Sequence, residues 1–286
     1  MSLVLYVLGD SANVRLEVFM CLYPVYMARM PDGNVVPAKY GDKDVFPVKC
    51  GKCIECCIDY SREWSFRCAL EAEMYDNSII VTFTYDDQHL PPDGKLRYSD
   101  FQNFLKRFRN SHKVRYLVSG EYGAKTQRPH MHAILFGYCP SDMVFLKDSP
   151  SGGKLYTSKE LSDIWQNGFC PFELFSQKGA FYAVKYMQKW LYSNDKDFRG
   201  FIHMSLKPGI GAINPRWHKG LSTDKLYVNG KFLKLPRYFL KLADKDGVVL
   251  DELKSNRLFN ATTFPVDLIK RRKASKKYFR KIVKNT

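Results

Sequence analysis

Two strand patterns joined by a polar turn constrain the fold of this chain more than any other feature. Residues 114–121 and 130–136 are rich in apolar side chains, and a polar segment that contains glycine and proline separates them. Strands with so short a connection pair antiparallel, because a parallel pair needs a crossover of about a dozen residues or more. The sequence therefore predicts an antiparallel hairpin.

Other predicted elements flank this hairpin. A β-branched and aromatic run predicts a strand, and apolar residues at helical spacing predict helices. These elements are a strand at 79–84, helices at 56–74, 158–165 and 179–192, and a helix capped at its N-terminus by Ser99. After about residue 200 the periodicity is weak. The order strand, helix, hairpin, helix favours an α+β fold, with an antiparallel sheet and flanking helices.

The second strand of the hairpin carries a histidine pair. Side chains two apart in a strand share a face, so His130 and His132 project together while Met131 faces the other side. A partner strand that ends at Glu121 brings a carboxylate to the same end of the hairpin. Two neutral imidazoles with one carboxylate hold a divalent metal and leave positions open for substrate. The alternative is a pair of histidines that serve only as hydrogen-bonding groups.

A helical pattern contains two tyrosines four residues apart. Tyr182 and Tyr186 share a helix face, and Lys185 and Lys189 lie beside them. Free tyrosine has a pKa of about 10, so it needs help to act as a nucleophile. The lysines would lower the phenol pKa or hold a phosphate. The alternative is an ordinary amphipathic helix with core aromatics.

A dense group of cysteines points to a metal rather than to a disulfide framework. Cys50, Cys53 and Cys56 follow one another at three-residue spacing, which suits a tetrathiolate zinc site. Cys21 is the first choice for the fourth ligand and Cys57 the second, because Cys57 directly follows Cys56 and would crowd it. We expect structural Zn²⁺, and the alternatives are an iron–sulfur cluster and a set of buried thiols.

The charge balance indicates an anionic partner. Lys and Arg number 45 against 29 Asp and Glu, a formal net charge of +16, which is typical of nucleic-acid-binding proteins. Within the acid-free segment 270–286, the candidate DNA-binding residues are Lys270, Arg271, Arg272, Lys273, Lys276 and Lys277. No apolar run reaches the ~20 residues of a membrane span, and the start does not resemble a secretory signal, so we expect no membrane partner.

Together these features resemble the replication initiator proteins of microviruses, in the gokushovirus branch, which belong to the HUH endonuclease superfamily of rolling-circle initiators. The resemblance follows the family's order over residues 20–195. The motifs that carry it are Pro47-Val-Lys-Cys50-Gly-Lys-Cys53-Ile-Glu-Cys56, Thr82-Phe-Thr-Tyr-Asp-Asp87, Gly120-Glu-Tyr-Gly123, Arg128-Pro-His-Met-His132 and Tyr182-x-x-x-Tyr186-x-x-Lys189.

The resemblance implies an enzyme that nicks and joins single-stranded DNA at the phage origin. His130, His132 and Glu121 would hold Mg²⁺ or Mn²⁺. Tyr182 or Tyr186 would attack phosphorus, leaving a 5′-phosphotyrosine and a free 3′-hydroxyl. The expected location is the cytoplasm of the bacterial host, with a host helicase and DNA polymerase as partners. The sequence has no Gly-x-x-x-x-Gly-Lys-Ser/Thr motif for a helicase of its own.

The expected domain organisation has four parts. They are a non-essential extension at 1–19, a cysteine-rich zinc element and helix at 20–75, an HUH-like nicking domain at 76–200, and a C-terminal region with the basic tail at 201–286. Two other functions are open at this point. One is a non-catalytic, zinc-containing nucleic-acid-binding protein, and the other is a single-tyrosine transposase of the HUH superfamily.

Overall fold

The computed structural model describes residues 21–123, 126–149, 152–186, 200–253 and 255. Its strands are β1 (Val25–Arg29), β2 (Val35–Pro37), β3 (Val45–Val48), β4 (Ser78–Thr84), β5 (Arg115–Tyr122), β6 (Pro129–Phe136), β7 (Val144–Asp148), β8 (Lys154–Thr157), β9 (Phe172–Leu174), β10 (Phe201–Met204), β11 (Lys225–Val228) and β12 (Lys231–Lys234). Its helices are α1 (Ile54–Ala72), α2 (Tyr98–Phe108), α3 (Lys159–Trp165), α4 (Gln177–Tyr186), α5 (Gly220–Thr223) and α6 (Arg237–Lys245), with a 3-10 helix at Pro215–Lys219.

The chain divides into two units. One comprises Met1–Cys56 and Asp251–Asn285, and the other comprises Cys57–Leu250. Within the first unit, three strands form a small antiparallel sheet in the order β2-β1-β3. The expected extension at 1–19 and the basic tail both lie outside the described residues, so the expected four-part organisation stays a prediction.

Seven strands form one sheet in the second unit. Its order is β10-β5-β6-β4-β9-β8-β7, and every neighbouring pair is antiparallel. The predicted hairpin is confirmed as β5 and β6, which pair from Arg115↔Phe136 to Tyr122↔Pro129. The predicted strand at 79–84 is confirmed as β4, which pairs with the other edge of β6. The strand that carries the two histidines is therefore flanked on both sides.

The two faces of this sheet bury different helices. Met131, Ala133 and Leu135 belong to a cluster that contains the phenylalanines of α2 and Trp165 of α3. Ile134 faces the other way and belongs to a cluster with residues of α1 and α4. The alternation predicted for the second strand is thus confirmed, and the face that carries the histidines is the one on which α4 packs.

The helices agree with the predicted ones except at one cap. Helix α3 begins after Ser158, whose hydroxyl accepts a hydrogen bond from the Leu161 N–H at 3.1 Å. The predicted cap at Ser99 is wrong, because α2 begins at Tyr98. The Tyr98 ring stacks on Phe101 and its hydroxyl hydrogen-bonds the Tyr116 hydroxyl at 2.9 Å. These contacts draw Tyr98 into the helix and leave Ser99 in its first turn.

The predicted helices at 56–74 and 179–192 correspond to α1 and α4. Helix α1 runs from Ile54 to Ala72. Helix α4 begins at Gln177, two residues before the predicted start. The end of the second prediction lies outside the described residues. None of the helices in the described residues is long and apolar enough to cross a membrane.

Residues 201–250 contain more regular structure than their weak periodicity predicts. Strand β10 adds to the sheet beside β5. Strands β11 and β12 form a separate hairpin, and their inward residues pack with α6. Trp217 and Phe239 belong to a third buried cluster, which also contains Phe66 of α1. This region therefore packs directly on the rest of the second unit.

A loop at 208–211 fastens this region to the helix layer. Ile210 is buried in the cluster that also contains Ala183 of α4. The Arg67 Nε donates a hydrogen bond to the Ile210 carbonyl at 3.0 Å, and the Gly211 N–H donates to Glu71 Oε2 at 2.6 Å. The loop is thus held by side chains of α1 while its one apolar residue packs beneath α4.

Candidate metal centre and tyrosine helix

The register of the β5–β6 hairpin brings one carboxylate and two imidazoles together. Glu121 pairs directly with His130, and Ser119 pairs with His132. Because residues two apart share a face, the Glu121 side chain lies on the same side as both histidines. One ligand atom from each of the three side chains lies within 4.8 Å of the other two. The structure thus brings together the three residues that the sequence analysis selected.

One oxygen of the carboxylate receives both imidazoles, and the other has no partner. His130 Nε2 is 2.9 Å from Glu121 Oε1, and His132 Nε2 is 3.3 Å from the same oxygen. Within the described residues, the buried Glu121 Oε2 has no hydrogen-bond partner. An unsatisfied buried carboxylate oxygen is costly, so it indicates a missing cation or donor.

The pKa of Glu121 shows that the group is a carboxylate. Burial acts to raise this pKa, but hydrogen bonds from His130 and His132 outweigh burial and lower it to about 2. An ionised oxygen pair with only 6% of the residue exposed is a strong local anion beside two imidazole nitrogens. This N, N, O donor set fits a divalent ion such as Mg²⁺, Mn²⁺ or a transition metal.

The remaining ring nitrogens are fixed by neighbouring groups. His130 Nδ1 is 3.2 Å from the Arg128 carbonyl oxygen, to which it can only donate. His132 Nδ1 is 3.1 Å from the Thr82 hydroxyl. A proton on Nδ1 leaves the lone pair of a neutral imidazole on Nε2, which is the nitrogen that faces Glu121. The sequence analysis gave Thr82 no role, because only the pairing of β4 with β6 reveals that it lies opposite His132.

Helix α4 lies on the same face of the sheet as this group. Ala180, Ala183 and Val184 belong to the cluster that contains the apolar residues of this face. The buried Ser119 hydroxyl lies 3.4 Å from both the His132 carbonyl and the Ala183 carbonyl. One side chain therefore touches both the histidine strand and the residue that follows Tyr182.

A glycine permits the close approach of this helix. A Cβ at Gly179 would lie 2.6 Å from Glu173 Oε1 and 2.8 Å from Ile80 Cδ1. Both distances are too short for a real side chain, so any larger residue would push the first turn of α4 away from β4. The sequence analysis placed Gly179 at the start of a helix without this reason.

The structure describes only part of the predicted tyrosine group. Tyr182 lies on α4 with 38% of its surface exposed. The backbone of Lys185 and Tyr186 belongs to α4, but their side chains lie outside the description, and so does the whole of Lys189. The six candidate DNA-binding residues of the basic tail also lie outside it.

Four cysteine sulfurs form a second group. The Sγ atoms of Cys21, Cys50, Cys53 and Cys56 lie within 4.8 Å of one another. Cys53 Sγ is 3.9 Å from Cys21 Sγ and 3.5 Å from Cys56 Sγ. Sulfurs tetrahedrally placed at ~2.3 Å from zinc lie about 3.8 Å apart, so the donor set fits zinc. The group includes Cys21, the first choice for a fourth ligand, and does not include Cys57.

Backbone N–H groups point at two of these sulfurs. The Cys50 N–H donates to Cys21 Sγ at 3.3 Å, and the Cys53 N–H donates to Cys50 Sγ at 3.3 Å. Burial acts to raise the pKa of Cys50, but hydrogen bonds from the Lys52 and Cys53 N–H groups and from neighbouring thiols lower it to about 7. Burial raises the pKa of Cys56. Four thiolates this close therefore require a cation.

Known proteins similar to this chain are described as replication-associated proteins. Residues 78–191 match the family model of ORF2-type replication-associated proteins. The chain is 32% identical over 241 residues to replication-associated protein VP4 of Bdellovibrio phage phiMH2K, an alignment that covers 77% of this chain and 75% of that protein.

Two further relatives carry the same description. The chain is 27% identical over 274 residues to replication-associated protein ORF2 of Spiroplasma virus 4, with 83% of this chain and 85% of that protein covered. It is 29% identical over 218 residues to replication-associated protein ORF4 of Chlamydia phage 1, with 70% and 54% covered. No solved structure matches this chain significantly.

Proposed function

Because this chain belongs to the family of microvirus-type replication-associated proteins, we propose that it initiates rolling-circle replication by nicking single-stranded DNA at the phage origin. In this proposal the protein is a metal-dependent endonuclease and strand transferase of the HUH type. Its substrate is the viral strand, and it acts in the cytoplasm of the bacterial host.

The observation that supports the proposal most is the buried carboxylate between two imidazoles on the sheet face where α4 packs. In the proposed site, Glu121, His130 and His132 hold Mg²⁺ or Mn²⁺, which supplies Lewis-acid polarisation of the scissile phosphate. The contacts of Arg128 and Thr82 with the two Nδ1 atoms keep both Nε2 lone pairs turned toward the ligand position.

The proposed nucleophile is a tyrosine of α4. The phenol oxygen of Tyr182 or Tyr186 attacks phosphorus and gives up its proton, and a new O–P bond forms as the bond from phosphorus to the 3′ oxygen breaks. The leaving 3′ oxygen takes a proton and becomes a free hydroxyl for the polymerase. Lys185 and Lys189 hold the phosphate or favour the phenolate. The covalent bond conserves the energy of the phosphodiester, so rejoining needs no ATP.

Two tyrosines would allow the reaction to repeat. When replication regenerates the origin, the second tyrosine cuts it and becomes linked to the new 5′ phosphate. The released 3′-hydroxyl then attacks the first phosphotyrosine, which closes the displaced strand into a circle and frees the first tyrosine. A host helicase and a host DNA polymerase would supply unwinding and synthesis.

Two other parts of the chain support this activity in the proposal. Structural Zn²⁺, held by Cys21, Cys50, Cys53 and Cys56, fixes the first unit. The basic tail, from Lys270 onward, contacts phosphates without reading sequence.

The test is formation of a covalent adduct. A 3′-labelled single-stranded oligonucleotide that spans the phage origin is incubated with the full chain and Mn²⁺, and the products are separated under denaturing conditions. We expect a labelled band at the mass of protein plus the downstream fragment. His130→Gln and His132→Gln should reduce this band at least a hundredfold, because the metal ligands are lost while the basic surface is intact.

The matched control is His112→Gln, which changes a histidine bound to Glu160 and should leave the band unchanged. Full adduct formation by the His130→Gln/His132→Gln double variant would contradict the endonuclease proposal. The absence of any adduct from the unaltered chain would favour the non-catalytic DNA-binding protein instead. An adduct that needs only one tyrosine for complete cutting and rejoining would favour the transposase.

A further inference from the structure

The hairpin β11–β12 presents an exposed aromatic pair. Val228 and Lys231 pair directly across a two-residue turn at Asn229 and Gly230, both with positive φ, the turn type that closes tight hairpins. Tyr227 pairs with Phe232, and their ring centroids are 5.1 Å apart.

The two faces of this hairpin have opposite character. Leu226 and Val228 are buried against the third cluster. On the other face Tyr227 is 51% exposed and Phe232 is 72% exposed. A cross-strand aromatic pair stabilises a hairpin by up to about 1 kcal/mol, but that does not require both rings to lie open to solvent. The exposed face is therefore available for a partner.

Lysines surround the two rings. Lys225 pairs directly with Lys234 on the same face as the rings, and Lys231 is exposed beside the turn. Residues 225–234 contain no acidic side chain. Two lysines directly opposite each other repel, which is unfavourable for the hairpin alone. This arrangement favours an anionic ligand, whereas the cores of protein–protein interfaces are depleted in lysine.

The tip of the hairpin touches the tyrosine helix. Asn229 Nδ2 donates a hydrogen bond to Gln177 Oε1 at 3.3 Å. Gln177 is the first residue of α4 and precedes Tyr182 by five positions, about 7.5 Å along the helix axis. A strand of DNA held on the hairpin would thus lie close to the helix that carries the proposed nucleophiles.

We propose that the exposed face of β11–β12 is a stacking platform for single-stranded DNA, with unpaired bases on Tyr227 and Phe232 and phosphates on Lys225, Lys231 and Lys234. Aromatic side chains stack on unpaired bases, whose faces a duplex hides, and flanking lysines follow the backbone. The identity of the strand as viral origin DNA rests on the proposed function. The binding chemistry does not.

The test measures binding without cleavage. The full chain is titrated into fluorescein-labelled oligothymidylate of about 20 nucleotides in EDTA, and anisotropy reports the affinity. We expect Phe232→Ala and Tyr227→Ala each to weaken binding about fivefold or more, the lower end of what a stacked base contributes. Phe232→Leu keeps an apolar partner for Tyr227, so it should remain folded and still lose stacking.

Salt dependence separates the rings from the lysines. The ring variants should leave the slope of log affinity against log salt unchanged, while Lys231→Gln should reduce its magnitude by about 0.7. The matched control is Phe145→Ala, which removes an exposed ring that pairs with Tyr156 in the β7–β8 hairpin. That variant should bind as the unaltered chain does.

Affinities of folded Phe232→Ala and Phe232→Leu within twofold of the unaltered chain would overturn the proposal and leave this face to a protein partner. An equal loss in the Phe145→Ala control, or an equal loss for a duplex of the same length, would also overturn it. Because the assay contains neither metal nor origin sequence, its failure leaves the nicking proposal intact. Failure of the adduct assay would likewise leave this result standing.

Discussion

Thr82 lies directly opposite His132 across the β4–β6 pair, and its hydroxyl is 3.1 Å from the imidazole Nδ1. At the scale of single residues, this contact decides which nitrogen of His132 carries the proton. Groups that orient a ligating imidazole typically change metal affinity ten- to a hundredfold when they are removed. We therefore treat Thr82 as a positioning residue of the proposed metal site.

Thr82→Val should weaken Mn²⁺ binding about tenfold or more, because it removes the hydroxyl and preserves the shape of the side chain. Thr82→Ser should restore most of the affinity. Isothermal titration of Mn²⁺ into the protein without DNA measures this directly, and the adduct rate should fall with it at subsaturating Mn²⁺.

The matched control is Thr84→Val, on the same strand and face. Its hydroxyl donates to the Phe169 carbonyl at 2.7 Å rather than to a histidine. This variant should lose stability by about 1 kcal/mol and keep the Mn²⁺ affinity. Equal affinities for Mn²⁺ in Thr82→Val and the unaltered chain would show that the hydroxyl does not orient His132.

At the scale of elements, the loop at 208–211 sets where α4 packs. Gly211 has φ +82°, and a Cβ there would lie 2.8 Å from the Arg67 carbonyl oxygen. Gly211→Ala combines a left-handed backbone, which costs about 1–2 kcal/mol for a residue with a Cβ, with a clash against α1. We expect the free energy of unfolding, measured in urea, to fall by roughly 2 kcal/mol or more.

Gly94→Ala isolates the backbone contribution. Gly94 has φ +64° and no atom within 4 Å of the added Cβ. Its substitution should cost only about 1 kcal/mol. If both variants lose the same stability, the close packing of the loop on α1 contributes nothing.

The elements differ in how far the sequence predicts them, for reasons of distance along the chain. The hairpin β5–β6 and the histidine face follow from local patterns, so both were predictable. The position of β4 beside β6, and with it the role of Thr82, depends on pairing between strands about 50 residues apart, which periodicity cannot reveal. The hairpin β11–β12 was missed although Asn229-Gly230 between short apolar strands is a strong local signal.

At the scale of the whole molecule, the two units contain two different donor sets. The first unit contains the four cysteines, and the second contains the glutamate, the two histidines and the tyrosine helix. Thiolates suit zinc in a closed structural site, whereas histidine with carboxylate leaves positions open for chemistry. The account therefore separates a metal that folds the chain from a metal that serves the reaction.

Purified protein should contain close to one zinc per chain by elemental analysis. Cys50→Ser should remove most of this zinc and lower the midpoint of thermal unfolding by several degrees, because structural zinc contributes its binding energy to folding. Cys139→Ser, at a half-buried cysteine outside the group, should keep the zinc. A chain with no zinc or iron would show that the four thiols are simply buried.

The central claim is that a tyrosine of α4 becomes joined to DNA. The most direct measurement traps the adduct with an origin oligonucleotide and Mn²⁺, digests it with nuclease and protease, and identifies the modified peptide by mass spectrometry. We expect a nucleotide phosphate on Tyr182 or Tyr186, retained at the other tyrosine in each single Tyr→Phe variant and absent from the double variant. An adduct in the Tyr182→Phe/Tyr186→Phe double variant, or a nucleotide on any other residue, would contradict the account.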